Sequence, residues 1–136
     1  MHASGYSGTP LAKKLGIKSG FHICLINIPE YYFELFTDLP PDFYVEAKND
    51  IKLDLIHFFT KSNDEYIDLL PGLKDSIKPN GIIWISWPKK ASKVPTDITE
   101  DIIRNFALQI GLVDIKVCAV DDIWSGLKLV IPVKDR

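Results

Sequence analysis

Lys61, Lys89 and Lys90, the indole rings of Trp87 and Trp124, and the carboxylates of Asp121 and Asp122 are side chains suited to holding an anionic or nucleotide-like ligand. Lysine supplies a compact positive charge, tryptophan an aromatic face for stacking, and aspartate an acceptor that orients a donor group. Each leaves the carboxyl end of a strand predicted below, and open parallel sheets bind ligands outside those ends. A second candidate is the opening stretch GYSGTPLAKKLGIKSG (5–20), where Ser7 and Thr9 stand before a short helix. Free N–H groups at a helix start can hold an anion. A true phosphate loop needs a strand before it, and only a few polar residues precede Gly5. The stretch therefore reads first as a capped helix, with Thr9 as N-cap, Pro10 at the first helical position, Leu11 and Leu15 as an apolar pair, and Gly16 as C-cap.

Other chemistries find less support. His57 lies inside LDLIHFF, where a lone histidine reads as a hydrogen-bonded core residue; His22 begins a strand and His2 sits beside the first residue. No spacing argues for a Ser-His-Asp or Cys-His pairing. Asp121-Asp122, without further ligands, reads as a solvated turn rather than a metal site. Cys24 and Cys118 each sit in an apolar run and read as buried free thiols. WPKKASK (87–93) is the densest basic stretch, with Trp87 as a stacking face, but the net charge of −2 gives no field that favours nucleic acid.

The elements that must position these residues alternate between strand and helix. HICLIN (22–27), FYVEA (43–47), KLDLIHFF (52–59), IIWISW (82–87), VDIKVCAV (113–120) and GLKLVIP (126–132) read as strands, several of them buried on both faces. Pro29 suits a helix start, with Tyr32, Leu35 and Phe36 on one face. Ser62-x-x-Glu65 and Asp97-x-x-Glu100 have capping-box spacing, and each precedes a helical apolar stripe. Pro71-Gly72 predicts a kink or two short helices, KPNG (78–81) a turn, and Gly111 a helix end. The last two strands are too close for a crossover and must be antiparallel neighbours. The fold expected is a three-layer α/β domain with a mostly parallel, Rossmann-like sheet and a C-terminal antiparallel hairpin. Residues 1–136 form one domain, with 1–19 as an N-terminal arm and short helix and 20–132 as the α/β core.

From residue 53 onward the order strand, helix, KPNG, strand, helix, strand, strand resembles the carboxyl half of a class I methyltransferase. That resemblance implies S-adenosylmethionine chemistry, but HICLI runs into NIPEYYFELF, without the glycine turn that lets backbone approach the cofactor. Glu46, ending the second strand, stands where a ribose carboxylate would be. Over nearly the whole chain, GYSGTPLAKKLGIK, IWISWPKKAS, PTDITEDIIR, GLVDIKVCAVD and WSGLKLV resemble the bacterial domain-of-unknown-function family numbered 3052. That resemblance implies a compact bacterial domain and assigns no activity or cofactor.

The function expected is non-enzymatic: binding of a small anionic or nucleotide-like ligand, or of a protein partner, at the carboxyl rim. The alternatives are a methyltransferase-type enzyme with an atypical S-adenosylmethionine site, and a protein-interaction module that pairs through a sheet edge, with a second copy or another protein. The start MHASGYSG lacks a signal peptide's pattern and no apolar run is long enough to span a bilayer, so a cytoplasmic protein is expected.

Overall fold

The computed structural model describes residues 8–47 and 51–136. The chain forms α1 (Leu11–Leu15), β1 (His22–Ile26), a short 3-10 helix (Tyr32–Leu35), β2 (Tyr44–Val45) and β3 (Leu53–Phe59). It continues with α2 (Asn63–Ser76), β4 (Ile77–Pro88), α3 (Glu100–Gln109), β5 (Val113–Ala119) and β6 (Trp124–Val130). The strands form one sheet in the order β2-β1-β3-β4-β6-β5. The first four are parallel, and β6 runs antiparallel to both β4 and β5. The expected α/β class, mostly parallel sheet and closing hairpin are all present.

Strand alternation sorts the core into two layers. Ile56 and Phe58, with Ile83, Ile85, Leu127 and Leu129, face α2 and α3, which contribute Tyr66, Leu70, Ile103 and Ala107. Leu55, Phe59, Trp84 and Trp124 face the other way, under Leu11, Ala12 and Leu15 of α1 and Tyr32 of the 3-10 helix. The N-terminal arm is therefore the second covering layer of the sheet. It is pinned by the Trp84 indole N–H, which donates to the carbonyl of Leu15 at 2.8 Å.

Several local expectations shift. Pro71 lies within a single helix, α2. It sits on the exposed side, where water can satisfy the carbonyl its ring leaves without a donor. The α3 cap is Thr99, which accepts from Ile102 N–H at 3.2 Å. Asp97 instead accepts from Asn63 N–H at 2.8 Å, in the first turn of α2. Cys24 and Cys118 are free, as expected, but only partly buried. KPNG does not end the chain's extended run: it bulges within β4, so that Leu53 pairs with Ile77 and Leu55 with Ile82.

The bulge has one steric requirement. A Cβ on Gly81 would lie 2.7 Å from Ile77 Cβ and 3.1 Å from the Leu53 carbonyl oxygen. Neither neighbour is the end of a flexible chain. Gly81→Ala is expected to destabilise the fold by about 1–3 kcal/mol, the usual cost of overpacking. Urea unfolding would read this directly; an unchanged midpoint would show that the bulge relaxes.

Candidate functional site

The turn after β1 and the turn after β3 meet at the carboxyl edge of the sheet. Asn27 closes β1 in the left-handed region, at φ 57°, a conformation asparagine tolerates better than most residues. That places its side-chain amide over the next strand, where it donates to Phe59 O at 3.1 Å and to Glu65 Oε2 at 3.0 Å. The other oxygen of Glu65 accepts from the Thr60 hydroxyl at 2.6 Å. Thr60 Oγ1 in turn accepts from Ser62 N–H at 3.1 Å.

Ser62 caps α2 as expected, accepting from Glu65 N–H at 3.2 Å. In a closed capping box the glutamate would reach back to the cap N–H. Here Thr60 satisfies that N–H, and the Glu65 carboxylate is turned outward. Asn27, Pro29, Phe59, Thr60, Lys61, Ser62, Glu65 and Trp124 line the resulting cleft of about 460 Å³. Its volume lies in the range of about 300–1,000 Å³ that takes a drug-sized molecule. Glu65 is the functional side chain that the sequence reading passed over, whereas Asn27 leaves the carboxyl end of β1, where a site was expected. The spacing marks Glu65 as a cap, and only Thr60, two residues before Ser62, signals that the carboxylate is released.

The expected rim divides. Lys61 and Trp124 line the Asn27–Glu65 cleft. Trp87 and Lys90 line a different cleft of about 560 Å³, between the end of β4 and the start of α3. Lys89 is half-buried, and its N–H pairs with Ile123 O at 2.7 Å. Asp122 is exposed. Asp121 is corrected from a ligand-orienting group to a turn anchor, because its Oδ1 accepts from Ile123 N–H and Trp124 N–H, both at 2.8 Å. Burial, and then the Asp121 carboxylate beside it, push the Tyr31 phenol up to about 12.

The opening stretch is also corrected. Pro10 rather than Thr9 stands at the N-cap of α1, and no side chain caps it. The N–H groups of Ala12 and Lys13 are taken by the two oxygens of Asp38, each at 3.0 Å. The anion at this helix start is the protein's own carboxylate, which removes the basis for a ligand at Thr9. Ser7 lies outside the described residues. Gly16 ends the helix at φ 85°, as expected.

His57 is a satisfied core residue. Its Nδ1 pairs with the Tyr32 hydroxyl at 2.9 Å and its Nε2 with the Ser86 hydroxyl at 2.7 Å. Burial depresses its pKa to about 3 and raises that of Tyr32. Glu46 is engaged by His22 Nδ1 at 2.6 Å. By register it lies beyond the pair Ile23–Val45, level with Cys24. That is two residues short of the end of β1, or about 7 Å below the rim. Among the described residues no group of histidine, cysteine and acidic side chains could hold a metal ion, and no helix is long and apolar enough to cross a membrane.

No family model matches the chain, and no curated protein does. Solved structures do. A SAM-dependent methyltransferase from Aquifex aeolicus is similar at 16% identity and a TM-score of 0.68, over 89% of this chain and 88% of that one. The ribosomal protein L11 methylase of Lactobacillus delbrueckii subsp. bulgaricus is similar at 12% identity and a TM-score of 0.57, over 89% and 75%. Magnesium protoporphyrin IX methyltransferase from Synechocystis, with bound SAH, gives 12% and 0.52 over 89% and 78%. The shared fold is that of these methyltransferases. The likenesses correct the expectation of a non-enzymatic binding domain: the similar solved structures are methyltransferases, and the alternative expectation of a methyltransferase-type protein matches them better.

Proposed function

We propose that the chain is an enzyme of the methyltransferase type whose reacting groups meet in the cleft over β1 and β3. The observation that carries this is Glu65, a carboxylate freed from its cap and held by Asn27 and Thr60 at that cleft. Fixed hydrogen bonds to both oxygens keep it in one orientation. An acceptor hydroxyl or amine entering beside Thr60 donates to Glu65, which directs its lone pair into the cleft and accepts its proton. Trp124 forms one apolar wall and Lys61 places a positive charge at the mouth. The solved structures with this fold are support by analogy only.

S-adenosylmethionine, which the fold implies, does not fit this chain in the manner of a glycine turn with a ribose carboxylate. Asn27-Ile28-Pro29 carries a side chain at each position. Pro29 also lacks an N–H. Glu46 is paired with His22 below the rim. A donor site on this chain is therefore atypical.

Calorimetric titration with S-adenosylmethionine and with its demethylated product tests the proposal. Both are expected to bind, and at about a hundred times the dissociation constant to stabilise the fold by about 2.7 kcal/mol. Glu65→Gln is expected to keep that binding while depressing methyl transfer by about 10²–10⁴-fold. Absence of binding by either compound at millimolar concentration would sink the proposal.

A further inference from the structure

The β5–β6 hairpin carries an unusual charge arrangement. Lys116 and Lys128 stand directly opposite each other in the antiparallel register. Like charges so placed destabilise a strand pair. Lys128 also pairs across the sheet with Trp84, on the face that α1 covers. The N-terminal arm brings two more lysines to this region. Lys14 is only 8% exposed, with its Nζ on Ala119 O at 3.3 Å. Lys18 lies close enough, with Lys116, to help lower the Lys128 pKa, after burial as the larger cause. Lys14 and Lys116 likewise act on the Cys118 thiol against the upward push of burial. Among the described residues Lys18, Lys116 and Lys128 make no ion pair.

Two of these lysines, Lys14 and Lys116, border a cavity. Lys14, Lys116, Cys118, Ala119 and Ser125 help to line a space of about 350 Å³ between the arm and the hairpin. The net charge of the whole chain is −2, so this positive concentration is local. A sheet that needed only solubility would place an acid opposite one of these lysines. The arrangement instead accepts a repulsion that a bound polyanion would relieve.

We propose that this cavity is a binding site for a phosphate-bearing small molecule, held by Lys14 and Lys116 as point charges, with Lys128 adding its charge from the strand position opposite Lys116. Lysine binds phosphate as a point charge, and the several lysines suit more than one phosphoryl group. The site is separate from the Asn27–Glu65 cleft and shares no lining residue with it. It does not rest on the methyltransferase reading.

Inorganic pyrophosphate is the probe, added to the full chain at low salt and followed by calorimetry and thermal unfolding. Wild type is expected to bind, with affinity falling as salt rises. Lys116→Gln and Lys128→Gln should each weaken binding by about tenfold or more, the loss of one close charge contact. Without ligand, each variant should unfold at an equal or higher temperature than wild type, because a like-charge contact is gone. A purely structural lysine would show the reverse. Lys61→Gln, at the other cleft, should bind pyrophosphate as wild type does. No pyrophosphate binding by wild type at millimolar concentration would overturn the proposal. So would full-strength binding by the Lys116→Gln/Lys128→Gln double variant, or an equal loss in Lys61→Gln.

Discussion

Replacing His57 by leucine is expected to cost about 2–5 kcal/mol at neutral pH. The ring is fully buried and joins two hydroxyls, Tyr32 at 2.9 Å and Ser86 at 2.7 Å, which have few other partners in the core. A neutral imidazole offers one N–H and one lone pair, so each hydroxyl can play the complementary role. Leucine fills similar space and leaves both hydroxyls unsatisfied, at about 1–3 kcal/mol each. The triple variant Tyr32→Phe/His57→Leu/Ser86→Ala should recover much of the loss, because no buried polar group is then orphaned. Urea unfolding of the single and triple variants checks this. A triple variant no more stable than His57→Leu would show that packing against Phe59, stacked on the ring at 4.3 Å, is what matters.

The same residue sets an acid limit. Burial holds the folded-state pKa near 3, whereas an unfolded histidine titrates near 6.5. Between these values the unfolded chain binds a proton that the folded chain does not, so stability rises with pH. The contribution is fully present above about pH 6.5 and is lost as pH falls towards 3, at up to about 1.4 kcal/mol per pH unit. His57→Leu should remove this slope. Wild type and variant falling in parallel between pH 6.5 and 4.5 would assign the acid sensitivity elsewhere.

The legible part of the fold was the part encoded by period. Unbroken apolar runs such as LDLIHFF located the buried strands, and the short link between the last two strands forced the hairpin. What escaped notice was set by contacts distant in sequence. Asp38 reaches the start of α1 across about 25 residues to take the place a ligand anion was expected to fill. Asp97 accepts from the first turn of α2 rather than capping its own helix. Glu65 looked like a cap because the local spacing is that of a cap. Its role as a cleft carboxylate depends on Thr60 and on Asn27, which no helical or strand period relates to it. The tryptophan-lysine rim failed as one site for a different reason: Trp87 and Trp124 end neighbouring strands but face opposite sides of the sheet, so their clefts open on different faces.

Trp84→Ala is expected to be the most damaging single substitution in the sheet, at about 3–5 kcal/mol. Trp84 is fully buried in the middle of β4. Its ring lies over Gly126, where a Cβ would come within 3.1 Å of the indole. Its Nε1–H donates to the carbonyl of Leu15, a buried polar contact between sheet and arm. Truncation therefore does two things: it opens a cavity against Leu55 and Leu11, and it orphans that carbonyl. Trp84→Phe separates the effects. It retains most of the ring volume and loses the hydrogen bond, so it should cost about 1–3 kcal/mol. The loss should also be local, since α1 is a single short turn of helix that depends on the sheet for its stability. Hydrogen exchange is the discriminating measurement. In Trp84→Phe the amides of residues 14–17 should exchange faster while those of β3 and β4 keep their protection. Uniform acceleration across the sheet would mean that the arm and the core unfold as one unit, and that the Leu15 contact belongs to the global fold rather than to the docking of the arm.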